Sequence, residues 1–134
     1  MANGVAVVPL SRLSIWIGRV LSALVALFML MDAVMKLVKP AFVVEKTTEL
    51  GYAESAILPM GVALLVSTVL YIVPQTAVLG AIMLTGYLGG AVATHVFHQD
   101  SAMEVIMPAI FGAVVWAGIA LRDARLRAVL PWRR

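Results

Sequence analysis

The chain has 134 residues, of which 63% are hydrophobic and only 13% charged, with no cysteine and a formal net charge of +3. A charged share near half the usual value of roughly 25% leaves little material for a water-exposed domain, so the solvent is expected to be lipid. The missing cysteines exclude disulfides, iron-sulfur ligation and dithiol chemistry on the chain's own side chains. The basic residues gather at the chain ends without interleaved aromatics, which argues against a nucleic-acid partner.

Four apolar stretches of near-bilayer length follow one another, at residues 14–38, 55–73, 76–94 and 101–121. Together they predict an all-α fold, an antiparallel four-helix transmembrane bundle forming one integral membrane domain over residues 1–134. Arg19, Asp32 and Lys36 interrupt the first stretch. Arg19 can reach the headgroups from one turn inside the start, and Asp32 and Lys36 fall near the other end. Met31-Asp32-Ala33 lacks the small-x-small pattern of a cleavage site, so the stretch is expected to stay as a span rather than serve as a removed signal.

The second span carries no charge, and Pro59 lies near its first turn, where a missing amide hydrogen costs little. Pro74-Gln75 is a tight link that predicts a hairpin with the third span. That third span contains Gly80, Gly86, Gly89 and Gly90, and small residues spaced four apart let helices approach closely in lipid. It is therefore expected at the centre of the bundle, with these four glycines as helix-packing residues. The fourth span opens with Ser101-Ala102-Met103-Glu104, the pattern of a capping box, and Pro108 follows early.

Arg12 and Arg19 lie at the start of the first span, and Arg122, Arg125, Arg127, Arg133 and Arg134 follow the last. Only Lys36, Lys39 and Lys46 fall on the other side. This tally of basic residues places both termini in the cytoplasm, with Trp16, Trp116 and Trp132 near the inner interface.

Folded so, most of the remaining polar residues meet at the outer end: Asp32, Lys36 and Lys39 of the first span, Glu45, Glu49 and Glu54 of the first loop, His95, His98 and Asp100 after the third span, and Glu104. Asp32 and Lys36 have the order and spacing of a helical ion pair. They either neutralise each other, with Lys36 reaching outward, or polarise a substrate at the mouth of a lipid-accessible cavity. His95 is suited to proton exchange near neutral pH, or to bonding a neighbouring helix start. Asp32, Lys36, Glu54 and His95 are thus the candidate acids and bases.

A flat ring such as a quinone would fit a notch at Gly90 between Tyr87 and Thr94, with Tyr87, Thr94, His95 and Lys36 as ligand-binding candidates. Thr94 bonding backbone within its own helix is the plainer alternative. Tyr71 and Thr85 are further polar groups within the spans. His95-x-x-His98 with Asp100 and Glu104 lacks the spacing of a known zinc pattern, so no metal is expected. The methionines, eight in the sequence, are unclustered along it and read as lipid-facing or packing residues.

The segment LTGYLGGAVATH at residues 84–95 resembles the DoxX-like family of small bacterial membrane proteins. DAVMKLVKP at residues 32–40, ELGY at 49–52, LYIVPQTAVLGA at 70–81 and LRDARLRAVLP at 121–131 extend the resemblance along most of the chain. It implies a four-helix bundle in a bacterial inner membrane. The family's namesake is similar to a small subunit of a membrane thiosulfate:quinone oxidoreductase, which implies quinone as the candidate cofactor and a role in membrane redox chemistry. A basic residue often follows the histidine in such proteins; here Val96, Phe97 and His98 follow His95, so no anion site is expected at that mouth. Two other functions fit the sequence: a non-enzymatic subunit packing into a larger redox or membrane complex or a homo-oligomer through the glycine-rich span, and a small lipid isomerase or hydrolase. A transporter is disfavoured by the lack of an unwound span and of a clear inverted repeat.

Overall fold

The computed structural model describes residues 7–130, all of whose regular elements are helical. Helix α1 (Arg12–Val38) starts where Ser11 Oγ accepts the amide hydrogen of Ser14 at 3.1 Å. It stops because Pro40 bars the preceding residue from helical geometry; Lys39 takes a left-handed φ of 55° and its amide closes on the Met35 carbonyl. The chain then forms a short helix, α2 (Ala41–Glu49), where a loop was expected. Nine residues of low mean hydropathy give no span-like signal, and Thr47 is the buried residue of this helix.

A single 3-10 turn at Glu54–Ala56 leads into α3 (Ile57–Ile72). Val73 is extended, Pro74–Thr76 makes another 3-10 turn, and Thr76 Oγ1 donates to the Leu70 carbonyl at 2.8 Å, closing the link to α4 (Ala77–Phe97). Helix α5 (Ala102–Arg122) opens on the complete capping box, with the Ser101 amide donating to Glu104 Oε2 at 3.1 Å and the Glu104 amide donating back to Ser101 Oγ. A final short helix, α6 (Ala124–Val129), is capped by Asp123.

Four of these helices, α1, α3, α4 and α5, with α3 and α4 taken together with their leading 3-10 turns, are long and apolar enough to cross a membrane. Leu24, Leu27, Val62, Val66, Leu79 and Ile82 point outward along them, as a lipid-facing surface requires. The interior is closed by Val25, Met29 and Ala33 of α1, Leu64 and Tyr71 of α3, Ala81 and Leu84 of α4, and Val115 and Ile119 of α5.

The third span does not sit at the centre as expected. Helices α1 and α4 each pack against α3 and α5, so the four surround a shared core. Close approach is confined to a few glycines. A Cβ at Gly80 would collide with the Tyr71 backbone, and one at Gly18 would lie 2.8 Å from the Gly118 carbonyl oxygen. At Gly86, Gly89 and Gly90, by contrast, an added Cβ would meet nothing within 4 Å. Trp16 is exposed, whereas Trp116 turns inward to donate its indole hydrogen to Thr85 Oγ1 at 2.7 Å. Trp132, Arg133 and Arg134 lie outside the described residues.

Candidate functional site

At one end of the bundle the helices part around a cavity of about 810 Å3. Asp32 and Lys36 reach it from the last turns of α1, Tyr87, Thr94 and His95 from α4, and Glu104 from α5. Lys46 and Thr47 of α2 form part of its rim.

Lys36 donates to Asp32 Oδ1, completing the i,i+4 ion pair. The Lys36 side chain is only 13% exposed against 44% for Asp32, so the lysine is turned into the molecule rather than outward. Gly61 makes this possible. A Cβ there would stand 2.9 Å from Lys36 Cβ, so glycine allows α3 to lie against this turn of α1.

On α4, Thr94 Oγ1 donates to the Gly90 carbonyl at 2.8 Å, which is the local helix bond considered from sequence. With its hydrogen so committed, Thr94 accepts the Tyr52 hydroxyl at 2.6 Å. Tyr52 arrives there because Gly51 adopts a φ of 91°, a conformation that glycine takes without steric cost, and turns the chain back after α2. The Tyr87 hydroxyl makes no hydrogen bond among the described residues.

His95 points Nδ1 at Asp100 Oδ2, 2.6 Å away, and His98 Nδ1 stands 3.5 Å from the other carboxylate oxygen. The His95 bond, aided by the neighbouring His98, holds the Asp100 carboxyl below its ordinary range. An Nδ1 hydrogen given to a carboxylate leaves the second ring nitrogen as an acceptor, and His95 stands in the cavity wall. Among the described residues no three acidic or imidazole side chains come together in a metal-holding group.

The rest of the wall is soft and apolar. Phe28 and Phe111 face each other with ring centroids 5.2 Å apart. Six methionines, Met29, Met31, Met35, Met60, Met103 and Met107, join them. These methionines come from three helices, α1, α3 and α5, so their convergence has no spacing signature; lining the cavity adds to the lipid-facing or packing role expected of them. Tyr52 and Lys46 were likewise absent from the site expected from sequence, although Tyr52 belongs to the ELGY segment that carries the family resemblance. Glu54 is exposed ahead of α3 and does not line the cavity, nor do Gly80 and Gly89, whereas Gly86 and Gly90 do.

The profile of the DoxX-like family matches residues 20–118. Every cavity-lining residue falls inside that stretch. No curated protein and no solved structure matches the chain. It is a multi-pass membrane protein that belongs to the DoxX-like family.

Proposed function

We propose that the chain binds a quinone or a similar hydrophobic ring compound in this cavity and supports membrane redox chemistry. One observation carries the reading: a single space combines thioether and aromatic walls with Lys36, Tyr87 and His95 at hydrogen-bonding positions. Pockets for small hydrophobic ligands pair such walls with a few convergent polar groups. A ring carbonyl would accept from the Tyr87 hydroxyl or the Lys36 ammonium, while His95, fixed by Asp100, takes up or delivers the proton that accompanies reduction. The tally of arginines supports a bacterial inner-membrane orientation with both termini cytoplasmic and this cavity outward.

The test is thermal unfolding of detergent-purified protein titrated with decylubiquinone and with menadione. Either should raise the midpoint, and Tyr87→Phe and His95→Ala should each remove most of that rise. No shift with either compound overturns the reading.

A second reading, an accessory subunit of a larger membrane complex or a homo-oligomer, is favoured by the open space before Gly89, which lies outside the cavity lining. Gly89→Leu, which leaves the cavity lining untouched, should then abolish co-purification of the complex while decylubiquinone binding persists.

A further inference from the structure

The opposite end of the bundle holds a second pocket, of about 490 Å3, whose charged lining is Arg19, Arg122, Arg125 and Asp123. It is separated from Lys36 by most of α1, since Arg19 and Lys36 are seventeen residues apart, or roughly 25 Å at 1.5 Å per helical residue. The inference drawn from it stands independently of the ring-compound reading.

Arg122 is the unusual member. Its guanidinium carbon lies 5.7 Å from the centroid of the Tyr71 ring, which is itself fully buried, so one face of the cation is covered by an aromatic surface. Its Nε and Nη2 are buried and meet no acceptor among the described residues. A guanidinium does not shed its charge to escape such a setting, and buried charges in proteins are ordinarily paired. The adjacent carboxylate does not supply the pairing: Asp123 Oδ1 accepts the amide hydrogens of Arg125 at 2.9 Å and Leu126 at 3.2 Å, and no arginine forms an ion pair among the described residues.

The packing of α1 on α5 fixes a second arginine at the same level. Gly18 admits Arg122 so closely that a Cβ there would stand 2.9 Å from the Arg122 amide nitrogen, and Arg19 follows directly on α1. Three cations thus face one carboxylate that is already engaged by two amides. Pro74 and Ile119 give the pocket an apolar side next to the polar one.

We infer that this pocket binds a phosphate group, with the Arg19 and Arg122 guanidinium groups as its ligands. Planar guanidinium forks match phosphate oxygens, and a charge-assisted pair of this kind answers the uncompensated cation at Arg122. The group can come from the headgroup of an anionic lipid, with acyl chains along the apolar side, or from free phosphate entering from the aqueous side.

Native mass spectrometry of delipidated, full-length protein in detergent, titrated with phosphatidylglycerol, phosphatidylcholine or inorganic phosphate, tests this. Phosphatidylglycerol or inorganic phosphate should bind to one saturable site, and Arg19→Gln and Arg122→Gln should each weaken it by about tenfold. Arg127→Gln, whose side chain lies outside the pocket, should leave it unchanged. Phosphatidylglycerol retention with no effect of inorganic phosphate identifies the lipid headgroup; displacement by inorganic phosphate identifies a site for the free ion. Equal loss in Arg127→Gln and the two pocket variants would mean diffuse surface attraction and overturn the inference, as would unaltered binding in Arg19→Gln and Arg122→Gln. Arg19 is exposed, so Arg19→Gln keeps the test decisive where Arg122→Gln fails to fold.

Discussion

The Tyr71 hydroxyl donates to the carbonyl oxygen of Val115 at 2.9 Å, tying α3 to α5 inside the buried core. Ser22 Oγ of α1 lies 3.1 Å from the same hydroxyl, so one side chain links three helices. Tyr71→Phe keeps the ring and removes only these polar contacts, and should lower stability by about 1 kcal/mol. Unfolding by sodium dodecyl sulfate in mixed micelles measures it. An unchanged midpoint would show that packing alone holds the three helices together.

The two kinds of glycine on α4 should respond in opposite senses. Gly80→Ala forces a methyl against the backbone of Leu70 and Tyr71, which cannot yield as a side chain tip does, and should cost about 1–3 kcal/mol. Gly89→Ala meets nothing and replaces the poorer helix former, so stability should stay level or rise by up to about 1 kcal/mol. The same micelle titration separates them, and equal losses would contradict the packing described for α4.

For the Asp32–Lys36 pair, the informative comparison is single against double replacement. Lys36→Met strands a carboxylate at the cavity wall and should destabilise by roughly 1 kcal/mol, a modest figure because Asp32 is 44% exposed. Adding Asp32→Asn removes the stranded charge and should restore most of the loss. A double variant no more stable than Lys36→Met would show that the two residues are not coupled.

Acid should loosen the turn between α4 and α5. The Asp100 carboxyl is held below its ordinary value of 3.8, first by the His95 hydrogen bond. A depressed folded-state value means that the unfolded chain binds the extra proton first, so the stabilisation is complete above 3.8 and is lost as pH falls from there through the lower folded value. Asp100→Asn should flatten the pH dependence of stability in that window. A profile identical to wild type would mean that the His95–Asp100 contact carries no weight.

The membrane-spanning fold was legible because four long apolar runs leave few other ways to satisfy the backbone in lipid. The neighbourhood of Asp32, Lys36, Tyr87 and His95 was legible for a related reason: polar side chains in such a chain are scarce, and span ends bring them to one level. Glycine spacing could not say which neighbour, if any, lies opposite, so Gly80 and Gly89 looked alike in sequence although one touches backbone and the other open space. Helix α2 escaped notice because nine residues of low mean hydropathy carry no span-like pattern, and the Tyr52–Thr94 contact depends on the chain turning back after it at Gly51. Arg122 read as one more basic residue past the last span, since only packing reveals the Tyr71 ring beside it.

The methionine lining has a chemical consequence. In a chain without cysteine, thioethers are the sulfur it presents to peroxide, and six of them surround the main cavity. Each sulfoxide formed there would turn a pliable apolar wall polar and chiral, so oxidative damage would change the character of the cavity, and repair would depend on reductases that act on methionine sulfoxide.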